Sequence, residues 1–181
     1  MPSILSHAIV ATAIGKAVEQ KNVPWWYWAL GAAVSAAPDL DVIGFHFGVH
    51  YGDVMGHRGI THSLLVAVLL AGLVTLAFRG QNQISSRRLF FYLFLATASH
   101  GLLDAMTNGG LGVAFFSPFT NARFFLPFRP IQVSPTGVGR FFSTKGSTVI
   151  RSEALWLWLP SAAVSILLTL LRDTRRSSEH R

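Results

Sequence analysis

Apolar residues are concentrated in five segments of the chain, spaced like the helices of a bundle. They cover about 4–18, 24–37, 63–78, 89–106 and 154–171. Several fall short of the ~20 residues that a helix needs to cross the hydrocarbon of a bilayer, so the first two could be tilted or partly buried in protein. The pattern predicts an all-α fold: a polytopic membrane helix bundle of about five apolar helices, four to five of them spanning. Residues 1–172 are expected to form one membrane-embedded domain, and 173–181 a disordered basic tail.

The composition agrees with a membrane protein. Of the 181 residues, 51% are hydrophobic and 13% are charged, whereas a soluble domain carries about 25% charged residues. The mean hydropathy is +0.44. The chain has no cysteine, which excludes disulfides and thiolate metal sites. Any metal must therefore be held by imidazole and carboxylate groups.

The formal net charge is +7, and the basic residues lie between the apolar segments and at the end of the chain. This distribution is typical of membrane anchoring rather than of a nucleic-acid-binding patch, so we expect no nucleic-acid partner. Lys and Arg are enriched on the cytoplasmic side of membrane proteins. Three basic regions are then cytoplasmic: Lys16 and Lys21; Arg79, Arg87 and Arg88; Arg172, Arg175, Arg176 and Arg181. The charges predict a multi-pass protein of the bacterial inner membrane, with its C-terminus in the cytoplasm and loops 38–61 and 107–153 outside.

Seven ionisable side chains interrupt or border the apolar segments, and every one is His or Asp. They are His7, Asp39, Asp41, His57, His62, His100 and Asp104. In the predicted topology all seven lie near the outer ends of their helices. Ionisable groups at membrane depth are costly and mark functional sites, and His and Asp are metal ligands. We therefore expect a centre of two or more divalent ions, with Zn first and Mn or Fe possible, rather than isolated polar contacts between helices.

The spacing of these residues indicates how they could meet. His100 and Asp104 are four residues apart, which on a helix places them about 40° apart on one face. Asp39 and Asp41 follow Pro38 and are expected in extended chain, where residues two apart point the same way.

The chain between the next two candidates, His57 and His62, is expected to bend. His57 and His62 cannot share a helical face, so Gly59 is expected to turn the chain and Thr61 to cap the third helix.

Two-metal hydrolases use such mixtures of His and Asp, with a carboxylate that often bridges the ions and a metal-bound hydroxide that attacks phosphorus or a carbonyl carbon. Arg58 is expected to stabilise negative charge or hold a phosphate.

The candidate catalytic residues are Arg58 and Asp41. The loop 107–153 is rich in Phe and Arg. Its aromatic rings could enter the membrane interface while Arg123 and Arg129 meet the phosphate of a lipid or lipid-linked substrate; the loop could equally be only an interfacial anchor.

Three blocks of the sequence resemble a known family. Residues 38–41 (PDLD), 57–63 (HRGITHS) and 99–104 (SHGLLD) are similar to those of the YdjM-like family of membrane-bound metal-dependent hydrolases, and His7, 116–119 (FSPF) and 123–130 (RFFLPFRP) fit as well. The resemblance covers most of the chain, and its most specific block is 57–63. The family's distant grouping with zinc phospholipase C and P1 nuclease implies an all-helical multi-zinc site and phosphoester chemistry, although a fold alone does not fix a function.

The leading hypothesis is a membrane-bound metal-dependent hydrolase that acts on a lipid-linked phosphoester or ester at the outer membrane face. The alternative is a metal transporter, or a metal-binding membrane protein without hydrolytic activity. Transport is disfavoured because the ligands cluster at one face instead of forming a path. A lipid phosphatase with a histidine nucleophile is disfavoured because Phe94 lies where an arginine is needed, and an intramembrane metalloprotease because its HExxH motif is absent. The sequence predicts no particular oligomeric state.

Overall fold

The computed structural model describes residues 1–19, 22–81, 83–134 and 144–179. The helices are α1 (Ile4–Val18), α2 (Trp25–Ala36), α3 (Leu64–Ala77), α4 (Ser86–Ala105), α5 (Thr144–Glu153) and α6 (Leu159–Glu179). A π-helical segment, Ala154–Trp158, joins α5 and α6 into one long helix, and two 3-10 helices cover Ala37–Phe47 and Ile60–His62. Within the described ranges the chain forms no β-strand, only two isolated bridges. The all-α prediction is confirmed.

Local capping sets where the helices begin. The Ser3 hydroxyl accepts a hydrogen bond from the Ser6 amide at 3.3 Å and caps α1. The Ser63 hydroxyl accepts from the Val66 amide at 3.2 Å and caps α3. Such a cap satisfies an amide that has no partner inside the helix. The prediction that Thr61 caps α3 is wrong, because α3 begins later, at Leu64, and Thr61 lies in the preceding 3-10 turn.

Helix α4 lies at the centre of the bundle and packs against α1, α2 and α3. Its Tyr92 ring is fully buried and stacks on Tyr27 of α2, with ring centroids 4.2 Å apart. Gly15 and Gly31 make room for this ring: a Cβ at Gly31 would lie 1.7 Å from the Tyr92 hydroxyl, and one at Gly15 would lie 2.9 Å from the ring. These small residues let α4 pack closely on α1 and α2 and fix the height of the polar residues two turns beyond Tyr92.

One helix of the described chain, Gly146–Arg172, is long and apolar enough to cross a membrane. It has 27 residues, and its apolar side chains, among them Leu159, Ile166 and Leu170, are exposed. The helices α1 and α3 are apolar but shorter, at 15 and 14 residues. Length and composition thus support one span by themselves, and the larger number of spans stays a prediction.

Three segments differ from the sequence-based expectation. The chain at Asp39 and Asp41 is a 3-10 helix instead of extended. The end of the predicted loop 107–153 is already helical, from Thr144 onward. The helix also continues through much of the segment 173–181, to Glu179, where a disordered tail was expected. In the last two cases the apolar helix propagates into polar residues that contain no proline.

Candidate metal centre

Four side chains from three different elements meet at one end of α4. Asp39 comes from the first 3-10 helix, His62 from the second, and His100 and Asp104 from α4. All four are buried, and one ligand atom from each lies within 4.8 Å of the others. We call this group the inner site. Its closest approaches are 3.0 Å between the Nε2 atoms of His62 and His100, 3.3 Å from His100 Nε2 to Asp39 Oδ1, and 3.5 Å from His62 Nε2 to Asp104 Oδ2.

Hydrogen bonds outside the inner site fix the tautomers of both histidines. His100 Nδ1 donates to the carbonyl oxygen of Ser35 at 2.7 Å, and because a carbonyl only accepts, this nitrogen carries the proton. His62 Nδ1 lies 3.3 Å from a carboxylate oxygen of Asp41, which likewise favours a proton on Nδ1. Both Nε2 atoms therefore turn into the inner site, where lone pairs 3.0 Å apart need a shared proton or a cation between them.

The carboxylates of the inner site fit a cation as well. The side-chain oxygens of Asp39 and Asp104 are buried and accept no well-aligned hydrogen bond from the described residues. Burial by itself would raise the pKa of the Asp39 carboxyl, but the imidazoles of His100 and His62 hold it well below its usual range. For His62, burial opposes the charged form, and the carboxylates of Asp104, Asp39 and Asp41 outweigh it and raise its pKa to about 10. Two carboxylates and two inward-facing imidazole nitrogens are a donor set that divalent metals accept.

A second group, the outer group, contains Asp41, His57 and the Nδ1 atom of His62. Asp41 Oδ1 lies 2.8 Å from His57 Nδ1, while Oδ2 accepts from the Thr61 hydroxyl at 2.7 Å and from the Arg58 amide at 3.3 Å. Both carboxylate oxygens of Asp41 thus contact protein donors, and Asp41 orients His62 from the side opposite the inner site. The expectation that Asp39 and Asp41 point the same way is wrong, because a 3-10 helix has three residues per turn and residues two apart diverge.

Arg58 lies beneath Asp104 and is fully buried. Its Nε is 3.0 Å from Asp104 Oδ2, Nη1 donates to the Gly109 carbonyl at 3.0 Å, and Nη2 donates to the Thr107 hydroxyl at 3.1 Å. The residue has a φ of 63°, a left-handed conformation that costs a non-glycine residue on the order of 1 kcal/mol. The guanidinium therefore positions Asp104 and balances its charge. The sequence predicted that Arg58 would offer its guanidinium to a phosphate, but in the structure the group is buried against these partners and has no face free for one.

The remaining candidates occupy different positions around the inner site. His7 stacks on His100, with ring centroids 3.9 Å apart, and neither of its buried nitrogens bonds to a described residue. Arg123 donates to the carbonyl oxygens of His57 at 2.9 Å and Tyr51 at 3.2 Å, and so ties down the loop that carries His57. Arg129 is exposed, 4.7 Å above the Phe125 ring. The structure thus gathers all seven His and Asp candidates and leaves Arg129 as the accessible arginine of the predicted pair.

One polar cluster near the inner site was not predicted from the sequence. Glu153, which is fully buried at the start of the π-helical segment, accepts from the Ser3 amide at 2.6 Å and the Ser6 hydroxyl at 2.7 Å. Trp158 Nε1 also donates to the Ser6 hydroxyl, at 2.7 Å. These bonds fasten the long helix to α1 immediately before His7. The available signal was a carboxylate at the border of an apolar segment, the same signal that marked Asp39 and Asp104.

Comparisons with known proteins agree with the membrane character of the chain. The family model described as YdjM inner membrane protein matches residues 1–175. A curated relative, the inner membrane protein YbcI of Escherichia coli (strain K12), is 39% identical over 160 residues, which cover 88% of this chain and 92% of that protein. No solved structure matches the chain. With a family match over nearly its whole length and a relative of this similarity, the chain belongs to the YdjM inner membrane protein family.

Proposed function

We propose that this protein is a membrane-bound, metal-dependent hydrolase that cleaves a lipid-linked phosphoester or ester at the outer face of the bacterial inner membrane. The main support is the inner site, where two imidazole nitrogens with fixed tautomers and two buried carboxylates converge within 4.8 Å. A cation there would take the place of the proton that the two Nε2 atoms, 3.0 Å apart, must otherwise share, and it would add to Arg58 in balancing the charge of the buried carboxylates.

The residues divide into ligands and residues that orient them. Asp39, His62, His100 and Asp104 would hold one metal, and a second ion at the outer group of Asp41, His57 and His62 would take the place of the Nδ1 proton of His62. A divalent ion held there would activate water and polarise a phosphoryl or carbonyl oxygen. Ser35 and Asp41 keep the histidine lone pairs turned inward, while Arg58 holds Asp104 in place. Zinc, in two or more copies, is our first choice for this donor set. The resemblance seen in the sequence implies a distant grouping with zinc phospholipase C and P1 nuclease, and we propose phosphoester chemistry by that analogy.

The membrane setting supports a lipid-linked substrate. Among the side chains of the inner site only that of Asp39 has any exposure, 6%, and those of His62, His100 and Asp104 have none, so a substrate would reach the site from the side of Asp39. Around the loops lie exposed aromatic side chains, with Phe47 82% and Phe119 83% exposed, and the exposed Arg129. We further propose the multi-pass topology predicted above, with four to five spans, a cytoplasmic C-terminus and this surface at the outer interface, where aromatic and basic side chains are suited to lipid headgroups.

A second candidate is a metal-binding membrane protein without hydrolytic activity. It is favoured by one observation: His100 and Asp104 are 0% exposed, as is usual for a site that holds an ion for structure or storage. Hydrolysis of a lipid phosphoester by the metal-loaded protein, without movement of the ion across vesicles, would favour the hydrolase. Ion movement without turnover would favour transport.

The first experiment is the metal content of detergent-purified protein by elemental mass spectrometry. We expect two or more equivalents of zinc, manganese or iron in the wild type and a loss in His62→Ala, because His62 is shared by both groups. His50→Ala is the matched control, since His50 is 88% exposed and its contact is with Asp53. Equal metal content in His62→Ala and His50→Ala, or no stoichiometric metal in the wild type, would refute the proposal.

A further inference from the structure

An apolar groove of about 390 Å³ runs along α3. Pro38 and Thr61 form one wall, and Val66, Leu69, Leu70 and Leu73 form the other. The groove is open along its length, since Leu69 and Leu73 are 60% and 68% exposed. Leu73 is seven positions after Val66, which on a helix corresponds to a length of about 10 Å. The shape is therefore a narrow apolar channel parallel to a helix, rather than a flat face.

The inner end of the groove lies beside the candidate metal centre. Thr61 is its one polar wall residue, and the Thr61 hydroxyl donates to Asp41 Oδ2 at 2.7 Å and lies 3.0 Å from His62 Nδ1. Pro38, on the same wall, directly precedes Asp39 of the inner site. A molecule in the groove would thus have its apolar part along α3 and its end next to the neighbours of two proposed metal ligands.

The side chains that line the groove limit what it can bind. The lining offers no charged group and a single hydroxyl, so it cannot recognise a polar ligand along its length. The protein belongs to an inner membrane family, and the exposed leucines of the groove make it continuous with a hydrocarbon surrounding. We propose that the groove binds one acyl chain of a membrane lipid and directs the linkage between chain and headgroup towards Thr61 and the inner site. The position of the reactive bond rests on the proposed function, whereas binding of the chain does not.

Photo-crosslinking tests the groove on the intact protein. The protein is placed in nanodiscs of phosphatidylethanolamine and phosphatidylglycerol that contain a phosphatidylglycerol with a diazirine on one acyl chain, and the labelled residues are mapped by mass spectrometry. Labelling should concentrate on the peptide that carries Pro38 and on α3. Leu69→Trp fills the groove and should lower labelling at Pro38 by about tenfold, equal to about 1.4 kcal/mol of binding free energy. Leu76→Trp is the matched control, because Leu76 is 62% exposed on the same helix and does not line the groove.

Each outcome of the crosslinking experiment supports or overturns the groove as a lipid site. Equal labelling at Pro38 in Leu69→Trp and Leu76→Trp, or labelling spread over all exposed leucines, overturns the groove as a lipid site. Crosslinks between two copies of the chain through α3 overturn it as well, because a second copy would then cover the groove. Leu73→Trp repeats the test if Leu69→Trp fails to insert. Metal content measured on the same samples separates the two proposals. Labelling concentrated at Pro38 and α3 without bound metal supports the groove and refutes the hydrolase. Bound metal with labelling spread over the protein supports the metal site and refutes the groove.

Discussion

Replacing Arg58 with Ala should destabilise the protein far more than replacing an exposed arginine. The change removes the cation 3.0 Å from Asp104 Oδ2 and two hydrogen bonds, one to the partly buried Gly109 and one to the fully buried Thr107. Breaking one partner of a buried ion pair costs about 3–5 kcal/mol, because the other charge stays buried without compensation. For a chain of this size such a loss lowers the Tm by roughly 10 °C.

The assay is thermal unfolding of the detergent-purified variant, followed by intrinsic tryptophan fluorescence. Arg87→Ala is the control, because Arg87 is exposed and its guanidinium lies 5.9 Å from the Phe91 ring, a contact worth about 0.5–1 kcal/mol. Added zinc should recover part of the loss in Arg58→Ala, since ligand at about 100 times its Kd stabilises the folded state by about 2.7 kcal/mol. A Tm for Arg58→Ala as high as that for Arg87→Ala would show that Arg58 does not hold Asp104, and the role of the guanidinium would have to lie elsewhere.

Three further predictions can be checked with the same preparations. His100→Ala should lose bound metal with little loss of membrane insertion, which elemental analysis of washed membranes and purified protein would show; unchanged stoichiometry contradicts the assignment of the inner site. Gly31→Ala should cost about 3 kcal/mol, because its Cβ would lie 1.7 Å from the Tyr92 hydroxyl, whereas Gly72→Ala on α3, with open space around it, should be neutral or stabilising; similar Tm values for the two would contradict the packing. Chelator-treated protein should lose stability as pH rises from about 6.5 through the folded-state pKa of His62, about 10, because the folded state binds more protons there than the unfolded state does; a Tm that rises over this pH range would contradict the sign.

The positions of the helices could be predicted because each apolar run ends at polar residues. The bounds of α1, Ile4–Val18, coincide with the first predicted segment. The helix α4 begins three residues before its segment, at Ser86, and ends one residue before the segment does, at Ala105. The same borders explain why the His and Asp candidates could be recognised: each interrupts or borders an apolar run. The ends of helices that pack side by side bring such residues together.

What the sequence could not supply depends on partners distant in the chain. Asp41 and Asp39 are both carboxylates two residues apart, and only the 3-10 conformation sends one to His57 and the other to His100. Arg58 follows a histidine of the most specific motif and was expected to face a substrate, yet its guanidinium bonds to residues 51 and 49 positions away. No local pattern encodes such a pairing, because it is decided by which side chains the folded loops bury together.

The bonds between Glu153 and the first residues of the chain have a consequence for biogenesis. Ser3 and Glu153 are 150 positions apart, so the start of α1 leaves the ribosome long before the glutamate that fastens it. His7 can be held against His100 by this tie only after the last long helix has been made and inserted. The candidate metal centre is thus completed at the end of translation, and a nascent chain that stops short of Glu153 carries all seven His and Asp candidates without the bonds that hold the first of them in place.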